Sequence, residues 1–424
     1  MALKQLAAVA ALNEAAGKVI EASVCEAQGT YLALVETEAG KRLAWAAQGE
    51  SALSKMWKDV EKEADVKDVH VAVMALNANN AALVRRLVKW AAPTACGTKG
   101  ASVGFSDWLG AADAVVTDLF AKRQLKPVLV DFTPEDSAAI GRNFLEAVDT
   151  ATWGVLEKGY KEGYGANAAG LKSEEEIVKA LLYGYSMIGF DCSDKIDLSI
   201  EKLSDEAVEK RFEQFNETFR AALHASYLNA EFKVGTSKIT FTENQLHRIV
   251  LEYGEAIMHV QFIYNSYLKN TPWDIDFELD LSKPGKVLTP QEHYLIGNEL
   301  QRNGIKLAAI CLDPLKDAEA LQENLQLHCE IADTFGYRLS FANADIAMTD
   351  TAAAMKYLKG KAHFKMNNIL WMSAVKLVQA LDADLFGKLC AVCGCEAVEG
   401  AVCGRMENGR ALALGYKKAL DVKV

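Results

Sequence analysis

The sequence predicts an α/β fold: a (β/α)8 TIM-like barrel that carries a small N-terminal α/β domain. Three observations lead there. From about residue 100, seven short apolar runs recur (ASVGFSD, KPVLVDF, SMIGFDCSD, DIDFELDL, IKLAAICL, YRLSFANAD and KAHFKMNN), separated by long helical patterns such as EDSAAIGRNFLEAVDTATWGVLEKGY. Such strand–helix alternation suits a parallel sheet covered by helices. No Gly-rich phosphate loop follows the first run, which disfavours an open doubly wound sheet. Seven units are one short of closure, so an eighth strand is expected near the ends of the region.

The first 95 residues have another rhythm. The β-prone runs KVIEASV, TYLALVETE and KRLAWAA are separated by Gly29 and Gly40, which suit hairpin turns. A helical stretch over 51–62, the strand DVHVAVMAL and a second helix over 80–91 follow, and Pro93, Gly97 and Gly100 mark a boundary. The expected division is 1–95 for the small domain and 96–424 for the barrel with a C-terminal helical segment.

Composition narrows the function. With 46 Lys and Arg against 57 Asp and Glu, the net charge is −11. An acidic chain without a basic run argues against nucleic acid as a partner. No run of about 18 apolar residues exists, so a membrane span is not expected. Nine cysteines, an odd number, do not make a disulfide scaffold, and no apolar leader opens the chain, so a reduced, cytoplasmic location is expected. G-x-S-x-G, Walker and H-E-x-x-H motifs are all missing.

Barrel enzymes place their chemistry where strands run into the following loops. Asp107 follows ASVGFS, Asp131 ends KPVLV, and Asp191, Ser193 and Asp194 end SMIGF. Each acid alone could equally cap the next helix. In DIDFELDL, a period of two puts Asp274, Asp276, Glu278 and Asp280 on one face and Ile275, Phe277, Leu279 and Leu281 on the other. That face is either a solvated edge or a carboxylate cluster for acid–base or metal chemistry. His363, Lys365 and Asn367 share a face of the last run, and His363 is the histidine expected at a strand end. His224, His247, His259 and His328 lie in helical patterns and read as packed or surface residues. His293 reads as a capping or surface residue at a helix start, and His70 lies away from the barrel. Cys390, Cys393, Cys395 and Cys403 form C-x2-C-x-C-x7-C, either a thiolate cluster or small buried hydrophobes, because the spacing is not that of a zinc knuckle.

The stretches ATWGVLEKGYKEGYGANA (151–168) and SMIGFDCSDK (186–195) resemble the tagaturonate epimerase family, metal-dependent bacterial enzymes of hexuronate catabolism that interconvert two keto-uronates. The resemblance continues through ASVGFSDWLG, YGEAIMHV, DIDFELDL, LHCEIADTF and AHFKMN, roughly three quarters of the chain. Asp107, Gly141, Arg142, Trp153, Asp191, Ser193, Asp194, Glu278, His363 and Lys365 match family positions. Two departures stand out. Lys195 ends a run that closes on His in the family, and Ala342-Asn343-Ala344-Asp345 replaces a His-Ser-Gly-Ser-Asp stretch.

The resemblance implies a sugar acid or ketose as substrate and a divalent metal cation, with His363 a ligand. With two imidazoles replaced, weak or absent metal binding at the main site is expected. The inverted carbon is β to the ketone, so retro-aldol cleavage and re-addition is the simplest route. Asp194, Glu278 and Lys195 are the expected catalytic residues, and Asp107, Asp191, Arg142 and Lys365 the expected substrate contacts. Asp107, Asp191, Glu278, His363 and Lys365 should share one cleft. Lys195 or Lys365 could replace a metal as a fixed cation or as an imine former. The alternative is a catalytically inactive homologue that binds a sugar or partners an active paralogue. Lys195 would then be a permanent cation paired with Asp191, Asp194 or Glu278.

Overall fold

The structure, a computed structural model, describes residues 3–387 apart from 50, 52, 108–109, 111–112, 122, 124, 282–287, 313–317, 343, 345–356 and 367–368. The four clustered cysteines, together with Asn343, Asp345 and Asn367, therefore lie outside the described residues.

After α1 (Gln5–Ala15), the alternating runs form an antiparallel sheet of β1 (Lys18–Val19), β2 (Cys25–Ala27), β3 (Thr30–Thr37), β4 (Gly40–Gln48), β5 (Val60–Val66) and β6 (Val69–Met74), ordered β1-β3-β4-β6-β5 with β2 beside β3. The β2–β3 turn places Gln28 and Gly29 at φ 51° and 78°, the paired positive values that a tight hairpin matched to strand twist requires. Alternation gives the sheet two apolar faces. Ala33, Val35, Ala44, Ala46, Val71 and Val73 pack under α1. Leu32, Leu34, Leu43, Trp45 and Met74 pack with Leu83 and Val84 of α2 (Ala78–Leu87). The helix expected over 51–62 is not there. A single 3-10 turn (Ser54–Met56) leads into β5, whose Lys, Glu and Ala favour a helix locally but are paired to β6 as a charged edge strand.

Eight parallel strands close the barrel: β7 (Ser102–Phe105), β8 (Lys126–Phe132), β9 (Gly165–Leu171), β10 (Met187–Asp191), β13 (Asp276–Asp280), β14 (Ala309–Leu312), β15 (Arg338–Phe341) and β16 (Ala362–Met366). The small hairpin β11 (Phe232–Val234) and β12 (Ser237–Ile239) lies outside the ring. The eighth strand is β9, in the middle of the region and not near its ends. Its sequence, GANAAGL, has no β-branched or aromatic residue, so it lacks the usual strand signature. Small residues are needed there, since a Cβ added at Gly165 would lie 2.9 Å from Val128 and 3.0 Å from the Cys96 sulfur.

The first long helical pattern breaks into α3-following elements α4 (Pro134–Ile140) and α5 (Phe144–Lys158), with α3 being Asp113–Phe120. Gly141, at φ 64°, ends α4, and capping boxes at Thr133/Asp136 and Asn143/Glu146 start both helices. Helix α5 also seats the barrel on the N-terminal unit: Leu156 joins the core under α2, and Asp149 pairs with Arg85 at 2.7 Å, both side chains nearly buried. The remaining helices are α6 (Glu174–Tyr183), α7 (Asp205–Phe212), α8 (Glu217–Tyr227), α9 (Glu243–Ile263), α10 (Pro290–Arg302), α11 (Ala318–Phe335) and α12 (Ile369–Leu381). Among the described residues, no helix is long and apolar enough to cross a membrane.

Candidate active site in the barrel interior

The four acids of DIDFELDL separate by height. Asp274 is exposed below the ring, and Asp276 accepts from the Cys96 and Gly97 amides at 2.6 and 3.1 Å, pinning the chain that enters the barrel. Glu278 is fully buried in the interior while Phe277 and Leu279 pack outward, and Asp280 reaches the rim beside Asp191. The period of two thus separates polar interior from apolar exterior, and no solvated edge is involved.

Glu278 meets Lys365. The ammonium contacts Glu278 Oε1, with the two side chains 8% and 1% exposed. They lie on strands three apart in the ring, so the lysine reaches across the interior. Burial opposes the charge on Lys365, but Cys311, Glu278 and Asp131 around it outweigh burial and hold its pKa well above the ordinary lysine value. Lys365 is therefore a fixed cation, and an ammonium is not the nucleophile an imine requires. Asp131 is its counterpart. Burial raises its pKa, but His363, Lys365 and Asn167 prevail and hold it below the ordinary aspartate range.

His363 does not end its strand. It is the second residue of β16, fully buried, with Nδ1 2.9 Å from Ser102 Oγ and Nε2 3.7 Å from Asp131 Oδ2. Asn167, on the strand that sequence reading missed, donates to Asp131 Oδ1 at 3.0 Å. Two glycines make room. A Cβ at Gly104 would overlap Asp131 Oδ2, and one at Gly189 would lie 3.2 Å from Glu278 Oε1 and 3.4 Å from Asn167 Oδ1. Four atoms in this cluster are buried without a hydrogen-bond partner: Asp131 Oδ2, Asn167 Oδ1, Glu278 Oε2 and His363 Nε2. Buried polar atoms are normally satisfied. A polyhydroxylated ligand presents the groups these atoms lack.

The mouth holds two further groups. Asp107, just past β7, accepts from the Gly110 amide at 2.9 Å, and its carbonyl accepts from Arg142 Nη1. Beside them Asp113, buried against Gly154, has its carboxyl pushed well above the ordinary range by burial and by Asp107, with Arg142 opposing. Asp191 ends β10 and accepts from the Ser193 amide at 2.8 Å. The cation facing Asp191 and Asp194 is Lys172, at 3.5 and 3.1 Å, from the loop after β9. Lys195 pairs instead with Glu255 of α9 at 3.0 Å, the side chains 40% and 67% exposed. The expected pairing of Lys195 with Asp191, Asp194 or Glu278 is thus corrected: the 3-10 turn Ser193–Lys195 directs its ammonium to α9.

Glu278, Lys365 and His363 are thus brought together with Asp131, Asn167 and Ser102. Asp107 with Arg142, and Asp191 with Asp194, form separate groups at the rim. Lys195 joins neither. Asp131 was legible as a strand-end acid. Asn167 gave no signal, because its strand gave none.

The described residues do not make up the divalent cation site that the sequence resemblance implies. Lys195 is paired elsewhere, Ala342 offers no donor, and the Lys365 ammonium already neutralises Glu278. Among the described residues, one set of three His, Cys, Asp or Glu side chains brings its ligand atoms within 4.8 Å of one another: His224, Glu243 and His247, outside the barrel ring.

Comparison with known proteins agrees with this architecture. The tagaturonate epimerase family profile matches residues 20–401. A tagaturonate/fructuronate epimerase from Thermotoga maritima is 27% identical over 383 residues, covering 88% of this chain and 78% of that protein. The native crystal structure of the fructuronate-tagaturonate epimerase of Cohnella laeviribosi superposes with a TM-score of 0.82 at 25% identity, covering 99% of this chain and 91% of that one. Its complex with one glycerol gives 0.81 at 25% identity, covering 96% and 88%. On a match that spans nearly the whole chain, together with a shared barrel, this protein belongs to the tagaturonate epimerase family.

Proposed function

We propose that the protein epimerises a keto-uronate or a closely related ketose by cleaving and re-forming a carbon–carbon bond inside the barrel. The observation that carries this reading is the buried Lys365–Glu278 pair, ringed by carboxylate, amide and imidazole atoms that lack a hydrogen bond. A carboxyl-bearing polyol supplies hydrogen bonds to each of them.

The chemistry assigns the roles. Glu278 takes the proton from the hydroxyl on the carbon β to the ketone. The alkoxide collapses to an aldehyde, and the electron pair of the broken bond moves to the α-carbon and onto the ketone oxygen. Lys365 stabilises that enediolate as a preorganised cation. Rotation of the aldehyde turns its oxygen to the opposite side, so re-addition delivers the new alkoxide to a different proton donor. His363, held by Ser102 and Asp131, approaches from the other side of the ring and fills that role, and the proton left on Glu278 returns to His363 by way of solvent before the next turnover. Asp107, Arg142 and Asp191 bind the substrate's carboxylate and hydroxyls at the mouth, with Asp194 and Lys172 beside them. The catalytic part first assigned to Lys195 passes to Lys365, which is buried where Lys195 is exposed.

The test is conversion of tagaturonate in deuterium oxide, followed by NMR. Formation of fructuronate with hydrogen retained at the inverted carbon is expected, because retro-aldol cleavage leaves that C–H bond intact. Deuterium at that carbon would overturn the mechanism. Tight binding without conversion would instead favour the inactive, sugar-binding reading, to which Ala342 and Lys195 lend some weight.

A further inference from the structure

The segment between β10 and β13 carries three helices, α7, α8 and α9, and their packing holds an arrangement the barrel chemistry does not use. Here His224 of α8 and His247 of α9 face each other, Nε2 to Nε2, at 2.7 Å. Glu243 stands four residues before His247, one turn away on the same face of α9. The ligand atoms of all three lie within 4.8 Å of one another.

We propose that His224, Glu243 and His247 form a binding site for a late first-row divalent cation such as zinc, separate from the barrel interior. Three features support a built site. His247 is fully buried, its ring stacked on Phe212 at 3.6 Å and 12°, and His224 stacks on the same ring at 5.6 Å and 7°. Both imidazoles are thereby fixed in orientation. Glu209 of α7 accepts from His247 Nδ1 at 2.8 Å. That bond sets the tautomer, leaving the Nε2 lone pair of His247 aimed at its neighbours, which is how carboxylates orient metal-bound histidines. The donor set, two imidazoles and a carboxylate, suits zinc better than magnesium or calcium.

The proton balance is simple. With Nδ1 of His247 donating to Glu209, the Nε2···Nε2 contact is held by the Nε2 proton of His224. A cation takes the place of that proton, which moves by way of solvent to Nδ1 of His224, so each imidazole stays neutral with its one N–H turned away from the metal. Two zinc–nitrogen bonds of about 2.0–2.1 Å at a tetrahedral angle place the nitrogens about 3.3 Å apart, so the rings need open only slightly. Glu243 is exposed and supplies the third ligand, and water completes the tetrahedron. Asp205, Glu206, Glu209 and Glu213 line the adjacent surface with one lysine, Lys210, and the excess of acids favours a cation there. Such a site ties α8 to α9, with α7 held against them by Glu209 on His247 and Phe212 stacked on both rings.

The experiment is zinc titration of full-length, chelator-stripped protein by calorimetry in two buffers of different ionisation enthalpy, with cobalt absorption as a second readout. One cation per chain is expected, with no net proton release from the neutral pair, so the apparent enthalpy should agree in the two buffers. His224→Gln and Glu243→Gln change exposed or half-buried positions and so spare the fold. Each should weaken binding at least tenfold and abolish the rise in Tm on adding zinc. Glu209→Gln should weaken it about 10–100-fold while keeping the stoichiometry. Absence of stoichiometric binding overturns the proposal. So does binding that survives both His224→Gln and Glu243→Gln, since the cation would then sit elsewhere. Neither result bears on the epimerase reading.

Discussion

Replacing Lys365 by Met removes the one cation described between Glu278 and Asp131 and leaves Glu278 buried without a counter-charge. The pair is almost wholly shielded from solvent, at 8% and 1% exposure, so the discount applied to surface salt bridges does not apply. Breaking a buried pair from one side costs about 3–5 kcal/mol. An unfolding entropy of about 2.1 cal/mol/K per residue gives about 0.9 kcal/mol/K for a chain of this length, so Tm should fall by about 3–6 °C. Glu278→Leu combined with Lys365→Met removes both charges and should recover much of the loss, because replacing a buried pair by apolar residues is often neutral or stabilising. Recovery should be incomplete, since Asp131 also loses Lys365 as a neighbour. Both variants should lose about 10²–10³ in kcat, the usual effect of deleting one preorganised charge-stabilising group. Calorimetric unfolding and a keto-uronate turnover assay measure the two effects. A Lys365→Met protein within about 1 kcal/mol of wild type would refute the buried pair. A borohydride-trapped sugar adduct on Lys365 would refute its standing as a fixed cation.

Three other outcomes follow from particular contacts. His328 is buried, its Nδ1 2.8 Å from that of His293, and burial lowers its pKa to about 4. A histidine depressed in this way stabilises the fold fully above its unfolded pKa of about 6.5, and that stability is lost as pH falls toward the folded value. The loss is about 3 kcal/mol, and His328→Gln should flatten the decline of Tm between pH 6.5 and 4; an unchanged slope would remove His328 from acid sensitivity. Gly104→Ala should cost about 1–3 kcal/mol by pushing Asp131 off Asn167 and should lower kcat, and normal stability with normal turnover would show the interior to be slack. Lys195→Ala should change stability by less than about 1 kcal/mol, because its pair with Glu255 is solvent-exposed, and a larger loss would reinstate Lys195 in the site.

How far the sequence carried the fold can be argued element by element. KPVLVDF became β8 residue for residue because Val, Leu and Phe suit a strand buried on both faces, with Pro127 tolerated near its start. GANAAGL was invisible because a barrel under close packing selects for small size there and not for strand propensity. The 51–62 stretch misled because edge-strand charges also favour a helix locally. In the site, alternation along DIDFELDL and KAHFKMNN placed Glu278, His363 and Lys365 on interior faces. Local sequence holds nothing about what meets across a ring. That Lys365 finds Glu278 while Lys195 finds Glu255 depends on strand order and on a 3-10 turn. His293 and His328 show the same limit, since one reads as a helix start and the other as part of a helix pattern, yet they share a buried hydrogen bond.

The balance of charge in the interior bears on function more than on stability. TIM-barrel interiors are commonly filled by branched apolar residues in layers. Here the interior holds two carboxylates, an ammonium, an imidazole and an amide, with glycine at 104 and 189 where side chains would collide with them. Apolar residues of similar volume would hold the barrel at least as well, because desolvating a buried ion pair costs about what its attraction returns. A polar interior of this kind is therefore poorly explained by folding alone. It is well explained by a reaction that forms negative charge on one oxygen and moves a proton at another. On the proposed mechanism Lys365 and Glu278 meet those two demands.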